Sequence, residues 1–396
     1  MAVGHFLIKI GRLKMFKQLL CPTLLWTCRL LLGQRPLAST DTLAASGLYD
    51  GVVVDVVKCR TPVLVTALAD NTACIFNAET GVTLSTLDGH TGPVNSVSFS
   101  RDGLLIATAS DDHTARIWSA TTASCKQTLA GHEDLVSFVT FSPDSSKLAT
   151  SSHDHSARIW SVGSGQCTAT FRDDRGLMDM ISFSPDGQAV VFATCAQDAH
   201  TACIWRTTGE SKLQLEGHAG RINRIAYAPS GERLATTSTD HTARIWSAEE
   251  GHCLFVLTGH ENSVCNLAFS DDGRLLATTS HDNTARVWST LTGICAMTFL
   301  GHGSLVDYVV FAPDGQSLAT TSYDCSARIW SIATGECTQI LLGHEDSVDW
   351  AAFLPNGTLA TTAGDYTAKL WSIETGVCNR TFGGSDLRVY SAVVRT

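Results

Sequence analysis

Between Gly259 and Trp288 the chain reads GHENSVCNLAFSDDGRLLATTSHDNTARVW, and apolar and polar residues alternate along it with a period of two. Val264, Leu267 and Phe269 carry the apolar positions, Asp271-Asp272-Gly273 interrupts them, and the alternation resumes up to a second polar break at His281-Asp282-Asn283. Runs of this kind bounded by Asp, Asn and Gly predict half-buried strands joined by tight turns, and no helical stripe competes with them. A further strand ends on Trp288.

The pattern recurs along the chain. Trp118, Trp160, Trp205, Trp246, Trp288, Trp330 and Trp371 lie 42, 45, 41, 42, 42 and 41 residues apart. Gly-His pairs ending in His90, His132, His218, His260, His302 and His344 keep step with them, and Asp173-Asp174 fills the one gap, in the unit ending at Trp205. A turn Asp stands six residues before the Trp at Asp112, Asp154, Asp240, Asp282, Asp324 and Asp365, while Asp198 stands seven before Trp205. Marks of this type at this period resemble the WD-repeat β-propeller family, from roughly Leu48 to the C-terminus.

The resemblance implies an all-β propeller of four-stranded antiparallel blades. It also implies a buried hydrogen-bonded chain within a blade, from the Gly-His imidazole through the turn Asp and a strand Ser or Thr to the indole. In one blade these would be His260, Asp282, Ser280 or Thr278, and Trp288. The second letter of the Trp-Asp dipeptide is replaced by Ser at Ser119, Ser161, Ser247, Ser289, Ser331 and Ser372, and by Arg206. That position lies outside the buried chain, so its loss is not expected to disturb the fold.

Residues 48–87 read as a divergent first copy without Gly-His, in which Val57 matches Phe99, Asp70 matches Asp112 and Phe76 takes the aromatic slot. Such a blade is expected to hold by packing without the full polar network. Counting it gives eight blades, favoured over the alternative of seven. Leu387 to Val394 aligns with the DSVDWAAF stretch around Ser347 and reads as one further first strand. It is expected to dock beside the first blade, competing with or supplementing Val52 to Val57, because a propeller hides its edges by pairing its terminal strands.

Composition changes this picture mainly at the N-terminus. The 396 residues are 44% hydrophobic and 17% charged, enough for one large all-β array. Residues 1–46 form an extension with Lys9, Arg12, Lys14, Lys17, Arg29 and Arg35 but no acid before Asp41, and residues 47–396 form the propeller. Beyond those six cations the chain has 22 basic and 38 acidic residues, a net charge of −16. Phe6, Ile10, Leu13 and Leu20 can share a helical face, so the extension reads as an organelle presequence, a secretory signal or surface anchor, or a segment without function. The uncharged run Gln18 to Cys28 is too short to span a bilayer, and any membrane contact is expected through this extension alone.

Cys125, Cys167, Cys253, Cys295, Cys337 and Cys378 each follow their Trp by seven residues, so they occupy equivalent positions of different blades. Such positions lie beyond disulfide reach and read as small half-buried residues. With no CxxC among 14 cysteines, the expectation is a cytoplasmic or other reducing compartment. Asn356-Gly-Thr and Asn379-Arg-Thr match the glycosylation triplet, a pattern frequent by chance.

Little in the array points to chemistry. His153-Asp154-His155 and His281-Asp282 resemble metal ligands in composition, but the Asp residues are the repeated turn residues and His155 has counterparts in His113, His200 and His241. No metal, cofactor or catalytic residue is therefore expected, and GxSxG, HExxH, GxGxxG and phosphate-loop motifs are absent. Arg116, Arg158, Arg244, Arg286, Arg328 and Lys369 recur two residues before the Trp, one per blade, and with −16 on the array no nucleic acid is expected as a partner.

Function is expected where the copies disagree. The inner-strand position after Val or Ile reads Asn95, Ser137, Asp179, Asn223, Cys265, Asp307 and Asp349, and the position before the turn Asp reads Asp111, His153, Thr239, His281, Tyr323 and Gly364. The resemblance implies that this narrow rim grips peptides or other proteins. Its acids, Asp111, Asp179, Asp307 and Asp349, suit a basic partner bearing Arg or Lys, or else simply keep the rim soluble. The reading is a non-catalytic scaffold or adaptor. The alternatives are a sensor module acting in trans within a signalling complex and, third, an enzyme built on eight blades.

Overall fold

Strands form where the alternation places them, and in the computed structural model they assemble into eight four-stranded antiparallel blades around a ring. The structure describes residues 3–7, 26–32, 35–36, 53–60, 63–68, 70–78, 80, 82–172, 176–195, 200–208, 212–354, 357–383 and 389–395. Blade 2 runs from the inside outward as Val94–Phe99, Leu105–Ser110, Thr114–Ser119 and Cys125–Ala130. Blades 3 to 8 follow in chain order, with innermost strands Val136–Phe141, Leu177–Phe183, Ile222–Tyr227, Val264–Phe269, Val306–Phe311 and Val348–Leu354. Blade 1 is composite: Val389–Arg395 is its innermost strand, followed by Val63–Leu68, Ala73–Asn77 and Thr83–Leu87. Each innermost strand neighbours the next all the way round, and Val389–Arg395 sits between those of blades 8 and 2.

This corrects the expected role of Val52 to Val57. Val53–Arg60 does not enter blade 1 but pairs with Val3–Leu7 and Trp26–Leu32 in a separate sheet completed by Arg35–Pro36. A physical reason lies in the turn. In blade 2 the first turn is closed by the Ser100 hydroxyl donating to Asp102 at 2.6 Å and by Gly103 at φ 66°. The sequence KCRTP at 58–62 has neither Asp nor Gly with which to fold a strand back on Val63. The C-terminal strand, which needs no turn into its neighbour, pairs instead.

The N-terminal residues also depart from the helical expectation where they are described, since Phe6 lies in a strand. Ile10, Leu13, Leu20 and most of the uncharged run at 18–28 lie outside the described residues, as do Asp173-Asp174, Asp198 and Asn356. Asn379 is exposed on the outermost strand of blade 8. Among the described residues no helix is long and apolar enough to cross a membrane.

The core is divided among the blade boundaries. Among the described residues there are eight clusters of buried apolar side chains, one at each interface; Ile75 and Leu87 of blade 1, for example, pack with Ile106 and Trp118 of blade 2. Leu64 and Ala78 of blade 1 share the closing cluster with Leu370 and Phe382 of blade 8. No blade buries both its faces alone, so the ring is stable only when complete.

Candidate interaction face at the channel mouth

The rim is held by a rigid interior. In blade 6 the Trp288 indole donates to Thr278 Oγ1 at 2.8 Å, Thr278 lies 2.9 Å from His260 Nε2, and His260 Nδ1 lies 2.8 Å from Asp282 Oδ2. The indole can only donate, so the threonine proton goes to Nε2 and the Nδ1 proton to the carboxylate. The same set joins Trp118, Thr108, His90 and Asp112, and likewise Trp160, Thr150, His132 and Asp154. It recurs in Trp246, Thr236, His218 and Asp240; in Trp330, Thr320, His302 and Asp324; and in Trp371, Thr361, His344 and Asp365. The imidazole therefore sits in the middle of the chain of bonds, and Thr278 rather than Ser280 is the strand hydroxyl. Ser280 serves the turn, donating to the Asn262 carbonyl and accepting from the Asp282 amide.

Burial lowers the pKa of His90, His132, His302 and His344, against the opposing pull of their Asp partners, which keeps each ring neutral as the bonding pattern requires. Among the described residues, blades 4 and 1 do not show the network. In blade 4 Phe192 occupies the threonine position opposite the indole and packs 6.1 Å from Trp205. In blade 1 Thr66 is retained and buried, but with Phe76 in place of Trp its hydroxyl has no partner among the described residues.

The turn after each network carries a residue at positive φ: His113, His155, His241, Asn283, Cys325 and Tyr366 all lie between 61 and 68°. That conformation accounts for the recurring His of the turn, since His and Asn enter the left-handed region more readily than most residues. The recurring Arg is also structural. The Arg158, Arg244 and Arg328 guanidinium groups lie 5.8 to 6.0 Å from the Trp160, Trp246 and Trp330 rings, and the Arg244 guanidinium donates to the Gly217 carbonyl at 2.7 Å. Six of the described cysteines start outermost strands opposite the Trp of their blade; Cys125 and Cys167 are exposed rather than half-buried.

The varying inner-strand position coincides with a break in pairing. The register shifts between Val94 and Ser96, Val136 and Phe138, Ile222 and Arg224, Val264 and Asn266, Val306 and Tyr308, and Val348 and Trp350. Asn95, Ser137, Asn223, Cys265, Asp307 and Asp349 are thus the bulged residues, skipped by the register of their own sheets and re-aimed. Asn95 donates to Asp111 at 2.7 Å and to the Val136 carbonyl of the next blade at 3.1 Å. Ser137 and Asn223 likewise reach the Met178 and Val264 carbonyls at 3.1 and 2.8 Å. At three boundaries the varying residue is therefore a tie between blades.

Blades 6 and 7 break that rule. Cys265 turns its thiol toward the Ser263 carbonyl of its own strand at 3.6 Å, and no side chain among the described residues hydrogen-bonds the Asp307 carboxylate. Cys265 and His281 of blade 6 and Asp307 of blade 7 bring their ligand atoms within 4.8 Å of one another, all three half-buried. Burial, reinforced by Asp307, pushes the Cys265 thiol up to about 12, and burial raises the Asp307 pKa against the pull of His281 and Arg224. Asp349 accepts from the Ser347 hydroxyl at 3.0 Å. Asp111, Thr239 and Tyr323 are exposed, His153 is half-buried, and the side chain of Asp179 lies outside the described residues. The acids are thus unequal: Asp111 is exposed, while Asp307 is half-buried.

Sequence reasoning missed the residues one place further along the inner strands. Arg224 contacts the Met180 sulfur at 3.9 Å across the boundary of blades 4 and 5, and the Tyr308 and Trp350 rings lie 6.5 Å apart across that of blades 7 and 8. Strict alternation would send them to the same side as their neighbours two residues away; only the bulge explains their placement, and the sequence does not mark it.

Comparison with known proteins agrees with this geometry. The family model described as IFT122 first beta-propeller matches residues 58–248, and the model described as WD domain, G-beta repeat matches 251–289, 293–331 and 335–372. The chain belongs to the WD-repeat β-propeller family. Within this WD-repeat protein, 61 residues are 34% identical to eukaryotic translation initiation factor 3 subunit I of Aspergillus niger, covering 15% of the chain and 18% of that protein. Another 50 residues are 44% identical to WD repeat-containing protein 86 of Homo sapiens, covering 12% and 13%. The chain thus matches less than a fifth of the length of these relatives. The crystal structure of the computationally designed Ika8 protein superposes with a TM-score of 0.67 over 77% of this chain and 91% of that one, at 24% identity, a likeness of fold alone.

Proposed function

We propose that this WD-repeat propeller is a non-catalytic scaffold that binds partner proteins or peptides at the mouth of its channel. The observation that supports this most is the division between frame and rim. The Asp–His–Thr–Trp network is repeated in six blades, whereas the bulged residue changes from Asn to Ser, Cys and Asp. WD-repeat propellers generally act as platforms for protein assembly, and repeated frames with varying rims are how such arrays acquire selectivity. Asp111 and Asp349, with the exposed ring of Tyr323, supply a rim suited to Arg or Lys side chains.

The test is affinity capture with the intact chain and with the variant Asp111→Lys/Asp349→Lys/Tyr323→Ala, read by quantitative mass spectrometry. Loss of a reproducible set of captured proteins in the variant, with an unchanged melting temperature, is the expected result. Undiminished capture of the same set would overturn the rim as the binding face.

A further inference from the structure

The geometry points to a divalent metal site, with zinc the fitting ion, formed by Cys265, His281 and Asp307 at the boundary of blades 6 and 7. It rests on the positions of these side chains and not on the partner-binding reading. The sequence places the three residues 16 and 26 positions apart, in an ordinary repeat phase, and gives no metal signature. Tertiary structure brings them together because the bulge of one innermost strand, the residue before the turn of the same blade and the bulge of the next blade converge at one place.

The same convergence exists elsewhere in the ring with different contents. At the boundary of blades 2 and 3 it holds Asn95, Asp111 and Ser137, and the asparagine spans the gap by donating to Asp111 and to the Val136 carbonyl. At that of blades 5 and 6, Asn223 donates to the Ser263 hydroxyl at 3.0 Å and to the Val264 carbonyl at 2.8 Å. Blade 6 has given up this tie. A carboxylate at Asp307 cannot donate a proton to a carbonyl, and the Cys265 thiol is a weak donor. What stands there instead is a thiol, an imidazole and a carboxylate that lacks a hydrogen-bond donor among the described residues. A half-buried carboxylate without a donor is costly, and a bound cation removes that cost.

The ligand set and spacing select the ion. Sulfur at about 2.3 Å and nitrogen or oxygen at about 2.0 Å around a tetrahedral zinc put neighbouring ligand atoms about 3.5 Å apart. The observed limit of 4.8 Å is within a small side-chain rotation of that arrangement. Mixed sulfur, imidazole and carboxylate donors suit zinc or cobalt rather than magnesium or calcium, which take all-oxygen shells. Three protein ligands leave a fourth position for water. The site needs no movement of the blades, because the Thr279 hydroxyl of blade 6 already donates to the Asp307 carbonyl of blade 7 at 3.2 Å.

Cobalt(II) is the probe, titrated into the full chain in a phosphine reductant that does not compete for metal. A saturable near-ultraviolet thiolate-to-cobalt band at one equivalent, displaced by zinc, is expected. Cys265→Ser should abolish the band, and Asp307→Asn and His281→Gln should each weaken binding by at least about tenfold. The double variant Cys125→Ser/Cys167→Ser, which removes two exposed thiols, should leave the band intact. As a readout independent of the thiol, zinc should raise the melting temperature of the parent chain but not that of Asp307→Asn, which decides the matter if Cys265→Ser proves unstable. A band that survives Cys265→Ser, a band lost with the exposed cysteines, or no saturable binding overturns the site.

Discussion

Val393, close to the C-terminal end of the chain, pairs with Val65 in blade 1, in a register that runs from Val389 opposite Leu68 to Arg395 opposite Val63. This pairing closes the ring: without it blade 1 presents an open edge toward the channel, and the run of innermost strands is interrupted between blades 8 and 2. Deleting residues 385–396 should lower the melting temperature by several degrees and open blade 1 to limited proteolysis between residues 63 and 87. An unchanged melting temperature would show that the last strand is dispensable.

Two threonines at equivalent positions should behave oppositely. Thr320 serves both the Trp330 indole and the His302 ring, each at 2.8 Å, so Thr320→Val leaves two buried polar groups unsatisfied and should cost about 2–4 kcal/mol. Thr66 has the same place in blade 1 but no partner for its hydroxyl among the described residues. Thr66→Val removes an unpaired polar atom at constant shape and should be neutral or stabilising. Chemical denaturation of both variants checks the pair of signs.

The networks should make stability fall on acidification in two stages. Burial lowers the His132 pKa below 6.5, so the neutral ring is favoured by folding; this contribution is complete above the unfolded value and is lost as pH falls from there toward the folded value. For Asp154, burial acts upward but is outweighed by the Ser156 hydroxyl, the Glu133 amide and the His132 ring, which bring it from 3.8 to about 2. Its contribution is complete above the unfolded value and is lost as pH falls through the folded one. Asp324 is likewise held at about 2, and His90, His302 and His344 are lowered like His132, so the effects add around the ring. The urea midpoint should decline as pH falls below about 6.5 and again as it falls below about 4. A flat profile across the upper interval would contradict the neutral-histidine network.

Gly131 illustrates why Gly precedes the network His. Its φ is 153°, and a Cβ there would lie 2.7 Å from the Arg158 guanidinium and 3.4 Å from the Trp160 ring. Gly131→Ala therefore combines backbone strain with displacement of the Arg158 stack and should cost about 1–3 kcal/mol. Thermal denaturation of this variant beside Gly163→Ala, where a Cβ meets nothing within 4 Å, separates the local clash from a general loss of flexibility.

Much of the frame was legible in the residues themselves. Alternation set the strands, the spacing of Trp118 through Trp371 set the blades, and Phe76 marked the copy without a Trp, because each of these is a local or periodic property of one repeat. The network residues were legible as well, though not their order, since Thr278 and Ser280 stand two residues apart on the same face of one strand, and only the fold shows which of them lies level with the imidazole and which serves the turn. Three features required the ring to be closed in space. The choice of Val389–Arg395 over Val53–Arg60 for blade 1 depended on pairing between distant segments. The bulges at Asn95, Cys265 and Asp307 are breaks in the register between an innermost strand and its neighbour, a property of the pairing rather than of either strand's own pattern. The meeting of Cys265, His281 and Asp307 follows from packing one blade on the next, and a sequence period repeats positions without saying which of them touch across a boundary.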